Sequence, residues 1–173
     1  SMFEKMLDHK NIEVNLNSEF CKSMEKHFKH NFLCIPIDSY FDYCFGELPY
    51  RSLIFENKLL INDNLSAPQV NFTDNSPFTR MTQWDLLPNC PLKYENKHTL
   101  TFERPVDIRD NPGEYYYPVQ TQKSRRIFHQ YEELSKNFSH ITFCGRTGLF
   151  KYIDMIPAVN IHIQKAFNFL KKN

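Results

Sequence analysis

Glycine is scarce in this chain, 4 residues in 173, and no G-x-G-x-x-G occurs. A dinucleotide pyrophosphate held at a strand-to-helix turn needs such glycines for close backbone approach. The chain by itself therefore lacks that cradle. No apolar run approaches the ~20 residues of a membrane span, and the charged, amphipathic start is unlike a signal peptide. Cys21, Cys34, Cys44, Cys90 and Cys144 are odd in number and never spaced C-x-x-C. That favours free thiols in a reducing, cytoplasmic setting over a disulfide framework or a zinc site. Charge of neither sign dominates: 21 basic and 20 acidic residues leave a net +1, so nothing electrostatic points to nucleic acid or to an anionic membrane. A G-x-S-x-G nucleophile elbow is absent too.

What is present is aromatic: 16 Phe and 9 Tyr, within 41% hydrophobic and 24% charged residues. That is the composition of a globular chain long enough to bury a core. Met2 to Asp8 reads as the tail of a helix, and Ile12, Val14 and Leu16 alternate as in a half-buried strand. Cys21 to Lys29, with Met24 and Phe28 at i, i+4, reads as a short helix, and Phe32 to Ile35 as a buried strand ended by Pro36. A helical turn over Pro36 to Tyr43 is broken at Phe45-Gly46. Tyr50 to Glu56 then reads as a strand with Arg51, Leu53 and Phe55 on one face. After a polar loop with Asn62, Asp63, Asn64 and Ser66 come further strands at Gln69 to Phe72, Phe78 to Trp84 and His98 to Phe102. Pro88, Pro91, Pro105 and Pro112 punctuate the loops. Separated strands without long helices between them argue for an antiparallel sheet. Thr121 to Asn137 reads as a polar helix with Ile127, Tyr131 and Leu134 inward.

The last stretch reads as a buried strand from Ile141 to Cys144, a turn at Gly145-Arg146, a loop, and a helix opening near Asp154. Asp154 suits an N-cap, and Pro157 falls in the first turn, where a missing N–H costs nothing. Ile156, Val159, Ile163, Phe167 and Leu170 recur at helical spacing and commit one face to a core. A strand ending in glycine beside a helix N-terminus gathers unpaired N–H groups that suit a partly negative ligand.

Phe143-Cys144-Gly145-Arg146 followed by Lys151-Tyr152-Ile153-Asp154-Met155 resembles the C-terminal signature of UDP-galactopyranose mutases. Further blocks follow in family order: Phe3-Glu4-Lys5-Met6-Leu7, Pro36 to Tyr43, Tyr50-Arg51-Ser52-Leu53, Asn71-Phe72-Thr73-Asp74, Phe78-Thr79-Arg80 and Tyr116-Tyr117-Pro118-Val119. The resemblance covers nearly the whole chain but only the C-terminal half of the family. It implies an α+β (mixed α/β) fold: an antiparallel sugar-nucleotide sheet over 46–118, inserted between pieces 1–45 and 119–173 of an incomplete flavin-binding, Rossmann-like domain. The activity implied is flavin-dependent interconversion of UDP-galactopyranose and UDP-galactofuranose, with FAD as cofactor and a UDP-sugar as substrate. The fragment alone is expected to be inactive and not to retain FAD. The missing N-terminal half, or self-association through exposed sheet edges, is the expected partner. The rival reading is a non-catalytic relative that binds a sugar nucleotide or a protein.

By resemblance, Arg80 matches a pyrophosphate-contacting arginine, Tyr117 and Tyr152 tyrosine donors, Asn71 a residue near the sugar nucleotide, and Arg51 an arginine of partly structural role. Arg146 matches the arginine beside the flavin, with Gly145, Asp154 and Met155 lining the same closing segment. Arginine suits such a ligand because its planar fork holds phosphate oxygens bidentately. Each residue also has a plain reading. Arg80 is then a surface strand charge, Tyr117 core filler, Asn71 a turn residue bonding its own backbone, Arg146 a carboxylate partner and Asp154 a cap. Trp84 can stack on a base or sugar or fill a core. Two departures from the family bear on the cofactor: Ile35 stands where glycine is usual, and Ile153 where an aromatic is common.

Overall fold

The computed structural model describes residues 1–61, 65–88, 90 and 97–172. Pro91 and the loop residues Asn62, Asp63 and Asn64 lie outside them. The elements in order are α1 (Met2–Leu7), β1 (Asn31–Leu33), α2 (Ile37–Tyr40), β2 (Tyr50–Ile61), β3 (Gln69–Asn71), β4 (Arg80–Gln83), β5 (Lys97–Asp107), β6 (Tyr117–Pro118), α3 (Gln122–Ser135), β7 (Ile141–Phe143), α4 (Gly145–Gly148) and α5 (Met155–Lys172). The strands form two sheets. β1 and β7 pair in parallel, and a five-stranded antiparallel sheet runs in the order β3-β4-β5-β2-β6. The mixed helix-and-sheet class and the antiparallel sheet expected from the sequence are both present.

Aromatic rings fill the core where α2, α3, β1, β7 and the start of β2 meet: Tyr40, Phe41, Tyr50, Tyr131, Phe143 and Phe150, with Leu33, Ile37, Leu48 and Ile141. Tyr131 is fully buried. Its ring stacks on Phe41 at 6.1 Å, and its hydroxyl donates to the Gly46 carbonyl (2.8 Å) while accepting from the Phe45 N–H (3.0 Å). A buried phenol that finds both partners ties α3 to the turn ahead of β2. α3 itself opens with a capping box, Thr121 Oγ1 accepting from the Ser124 N–H and Ser124 Oγ from the Thr121 N–H. Gly148 lets α4 lie against β1, because a Cβ there would stand 3.0 Å from the Leu33 carbonyl oxygen.

Several elements depart from the sequence pattern, each for a physical reason. Ile12, Val14 and Leu16 are exposed and form no strand, since among the described residues no strand pairs with them. The helix at Cys21 to Lys29 is a 3₁₀ helix, Lys22–His27, with Phe28 turned outward. β1 is shorter than Phe32 to Ile35, and Phe32 is its outward residue. On β2, Leu53 is buried, but Arg51 and Phe55 on the same face are exposed, while the fully buried Tyr50 and Ser52 point the other way. Pro105 is not in a loop but inside β5, opposite Leu53. β4 accompanies β5 only over Leu100–Glu103, so at Pro105 one side of the strand is open and a missing N–H is tolerated. Gly145 and Arg146 open the short helix α4 rather than a turn, Gly145 at φ +70°. The largest departure is α5. Ile156, Val159, Ile163, Phe167 and Leu170 are 46% to 77% exposed, so the apolar face assigned to a core looks outward.

Asp38 is 3% exposed. One oxygen accepts the Leu48 N–H at 2.7 Å and the other is buried without a partner. Burial pushes its carboxyl above the ordinary 3.8. The folded state therefore holds a proton that the unfolded chain has released, and stability falls as pH rises through that window. Asp38→Asn removes the titration. As pH drops from 7 towards 4, the wild type is expected to gain stability relative to this variant, by at most about 1.4 kcal/mol per pH unit. Parallel urea-midpoint profiles for the two proteins would contradict the assignment.

Candidate functional site

The register of the large sheet decides which side chains share a face, because residues directly opposite in an antiparallel pair point the same way. Tyr117 lies opposite Arg51, and Arg51 opposite Asp107. Four residue pairs further along, Phe55 lies opposite Glu103, Glu103 opposite Arg80, and Arg80 opposite Asn71. Arg51 and Phe55 have the same parity on β2. Four of the five residues expected to meet substrate, Arg51, Asn71, Arg80 and Tyr117, thus share one face. Tyr152 joins its Tyr117 end, the two rings 5.5 Å apart.

At the other end Arg80 is held by neighbours. Its Nε donates to Asn71 Oδ1 at 3.3 Å, and its Nη1 lies 3.6 Å from Glu103 Oε1. Asn71 therefore bonds the arginine side chain. Arg80 is half-exposed and keeps further N–H groups for a ligand, with Glu103 balancing its charge. Three strand spacings and four residues separate Arg80 from Tyr117, roughly 20 Å. The two cannot hold the same phosphate pair, so the face suits an extended ligand.

Arg146 sits where the sheet meets the final segment. Its Nη1 donates to the Tyr116 carbonyl at 3.0 Å and its Nη2 to the Ile153 carbonyl at 2.9 Å. Its guanidinium lies over the Tyr152 ring at 4.6 Å and over the Tyr117 ring at 5.7 Å. The planar fork thus pins the start of β6 and the loop before α5 together, and carbonyls take the place of the carboxylate partner in the plain reading. Gly145 is close by, but its N–H donates to His162 Nε2 at 2.8 Å, and His162 Nδ1–H donates to the Ala158 carbonyl at 2.5 Å. The unpaired amide expected there for an anionic ligand is already satisfied from α5. Asp154 occupies the N-cap position, its carbonyl accepting the Ala158 N–H at 2.9 Å. Its exposed carboxylate makes no hydrogen bond among the described residues and so does not cap the helix in the expected way. It stands free at the positive end of the helix dipole. Met155, beside it, is exposed.

Sequence reasoning missed Glu103, Tyr116, Phe55 and His162. Phe55 packs on Tyr116 (5.9 Å) and Tyr116 on Tyr117 (6.4 Å), extending the aromatic run. Nothing in local spacing marks these residues, since cross-strand register brings them together. Also missed was the pair Asp85 and His98, joined at 2.8 Å. Burial alone would raise the Asp85 carboxyl, but hydrogen bonds from His98 and Gln83 bring it below its usual range. Trp84 does not fill a core: it is 48% exposed, its Nε1–H donating to Thr101 Oγ1. No three His, Cys, Asp or Glu side chains gather as a metal site among the described residues.

Fold and site together define a class of protein: an α+β chain whose antiparallel sheet carries a paired arginine at one end and a tyrosine–guanidinium stack at the other. The family model described as UDP-galactopyranose mutase matches residues 1–152, and the chain belongs to that family. It is similar to a probable UDP-galactopyranose mutase of Klebsiella pneumoniae, 28% identical over 98% of this chain and 44% of the relative. It is also similar to a dTDP-fucopyranose mutase of Escherichia coli, 30% identical over 99% and 47%. A third relative, a UDP-galactopyranose mutase of Mycoplasma genitalium, is 31% identical over 97% and 45%. The chain spans about half the length of the curated relatives it matches.

Arg146→Lys keeps the charge but loses the fork. Because a hydrogen bond from a charged donor contributes about 1.5–3 kcal/mol, the variant is expected to unfold more easily by that order, with Tyr152 freed. A urea midpoint equal to wild type would mean that the two carbonyl bonds are not made.

Proposed function

We propose that this chain is the sugar-nucleotide-binding portion of a UDP-galactopyranose mutase, with the UDP-sugar lying along the sheet face. The observation that carries the reading is the gathering of Asn71, Arg80, Arg51 and Tyr117 on one face, closed by Tyr152. In this reading Arg80 reads the pyrophosphate, Asn71 fixes the guanidinium, and Tyr117 and Tyr152 donate hydroxyls further along. Arg51 supports the Tyr117 end beside Asp107. Residues 46–118 form the substrate sheet, and 1–45 and 119–173 belong to one interrupted, Rossmann-like cofactor unit. Support for that unit is the parallel pairing of β1 with β7 across the inserted sheet.

The reaction of the family uses a flavin, which supplies the nucleophile when bound. The residues present do not form a complete place for FAD. The Gly145 amide is bonded to His162, both Nη donors of Arg146 are bonded to carbonyls, and Ile35 packs partly into the core where a glycine would leave room. Arg146, Gly145, Asp154 and Met155 are read as one wall of the cofactor site, and this chain alone neither retains FAD nor catalyses the ring contraction. Among the described residues Cys21, Cys34, Cys44 and Cys144 form no disulfide, in keeping with a reducing, cytoplasmic setting. Among the described residues no helix is long and apolar enough to cross a membrane.

Calorimetry with UDP tests the reading. Heat of binding to the wild type is expected, and Arg80→Ala is expected to weaken it roughly tenfold or more, the equivalent of one charged hydrogen bond. The protein is expected to purify without flavin absorbance. No UDP heat, or equal affinity in the variant, would refute the sheet-face site, and a yellow preparation would refute the incomplete cofactor wall.

A further inference from the structure

Trp84, the only tryptophan of the chain, opens a short 3₁₀ turn, Trp84–Leu86, where β4 ends. Its Nε1–H donates to Thr101 Oγ1 at 2.6 Å, and the Thr101 hydroxyl donates onward to Asn57 Oδ1 at 2.6 Å. Thr101 lies opposite Thr82 on one side and opposite Asn57 on the other. It is two residues from Glu103, the partner of Arg80, so strand parity puts Thr101 and Asn57 on the Arg80 face. The hydrogen bond to Thr101 brings the indole to that face as well. Thr101 is buried, while Trp84 is 48% exposed. The ring is thus fixed by its polar edge and leaves much of its apolar surface bare.

The order of residues along β5 gives this ring a direction. Asp107 stands at the Arg51–Tyr117 end, Glu103 beside Arg80, and Thr101 beyond it. Arg80 therefore lies between Tyr117 and Trp84, and strand geometry sets its Cα about 8 Å from that of Thr101. A pyrophosphate on Arg80 whose sugar runs towards Tyr117 and Tyr152 sends its nucleoside the opposite way, to Trp84. Asn57 is exposed. Because its Oδ1 takes the Thr101 proton, the two Nδ2 donors remain, and they have no partner among the described residues.

We propose that Trp84 is the platform on which the base of the bound nucleotide stacks, with Asn57 Nδ2 donating to a carbonyl of a pyrimidine ring. The inference rests on the sheet-face reading and gives the ligand its orientation there. Stacking on an indole serves any base, since every base has a π face. The Asn57 donors are what favour a ring that carries carbonyl oxygens.

Trp84 is its own reporter, because its emission can be excited apart from that of the tyrosines. Titrating the 173-residue chain with uridine monophosphate is expected to quench it, and galactose 1-phosphate is expected not to. Trp84→Leu is expected to weaken UDP binding in calorimetry about tenfold, and Trp84→Phe, which keeps a stacking face, by less. The proposal fails if uridine monophosphate leaves the emission unchanged, or if Trp84→Leu binds UDP as tightly as wild type. It fails equally if galactose 1-phosphate quenches as well as the nucleotide, which would put the sugar at Trp84, or if adenosine monophosphate, whose base has no carbonyl, quenches as strongly. UDP heat that Arg80→Ala weakens, without quenching, sinks this inference and leaves the sheet-face site. Quenching by UDP that Arg80→Ala does not weaken supports the platform and sinks the pyrophosphate role of Arg80. A chain that binds no UDP overturns both.

Discussion

The register of β2 on β5, from Arg51 opposite Asp107 to Ile61 opposite Lys97, is the constraint on which the site depends. A strand carries its side chains alternately on two faces, so a slip of one residue would send Arg51 and Phe55 to the wrong side. β4 takes its position from β5, and β6 from β2. The gathering of Arg80, Asn71 and Tyr117 with Arg51 is therefore a consequence of one ladder rather than of four separate placements. The buried Tyr131 hydroxyl, bonded to the Phe45–Gly46 turn, fixes where that ladder starts relative to the helices.

Arg146 joins the two halves of the arrangement. One planar side chain bonds a carbonyl from the sheet side and another from the last segment, and its face supports Tyr152. Lysine, a point charge on a flexible stem, does not do both. The neighbouring Gly145 amide is closed off by His162, so α5 is tied to this corner by a side chain that needs one nitrogen as donor and the other as acceptor. The corner is firm where it meets its own sheet and bare on the side that faces away.

Much of the fold was legible locally. The helix from Thr121 with Tyr131 inward, the helical turn after Pro36 and the separated strands of the middle third follow from short-range spacing and turn chemistry. So does the existence of α5. What local pattern misjudged is which side of an element is covered. Ile12, Val14 and Leu16, Phe32 and the α5 seam all have the periodicity of buried residues and are exposed. Periodicity reports that a face is fit for burial. Whether it is buried depends on what packs against it, and here roughly half of the matched relatives' length lies outside this chain.

By itself the sequence determined the inventory: too few glycines for a dinucleotide cradle, a heavy aromatic load, near-neutral charge, and the blocks that resemble one mutase family. It also determined the class of most elements, since propensity and period act over a few residues, though not of the 12–16 stretch or of the segment from Gly145. Only the tertiary structure decided that Glu103 stands against Arg80, that carbonyls rather than a carboxylate hold Arg146, and that His162 takes the Gly145 amide. Those pairings join residues brought together by strand register and helix packing. Their geometry is set by hydrogen bonds between segments distant in sequence, which no local spacing encodes.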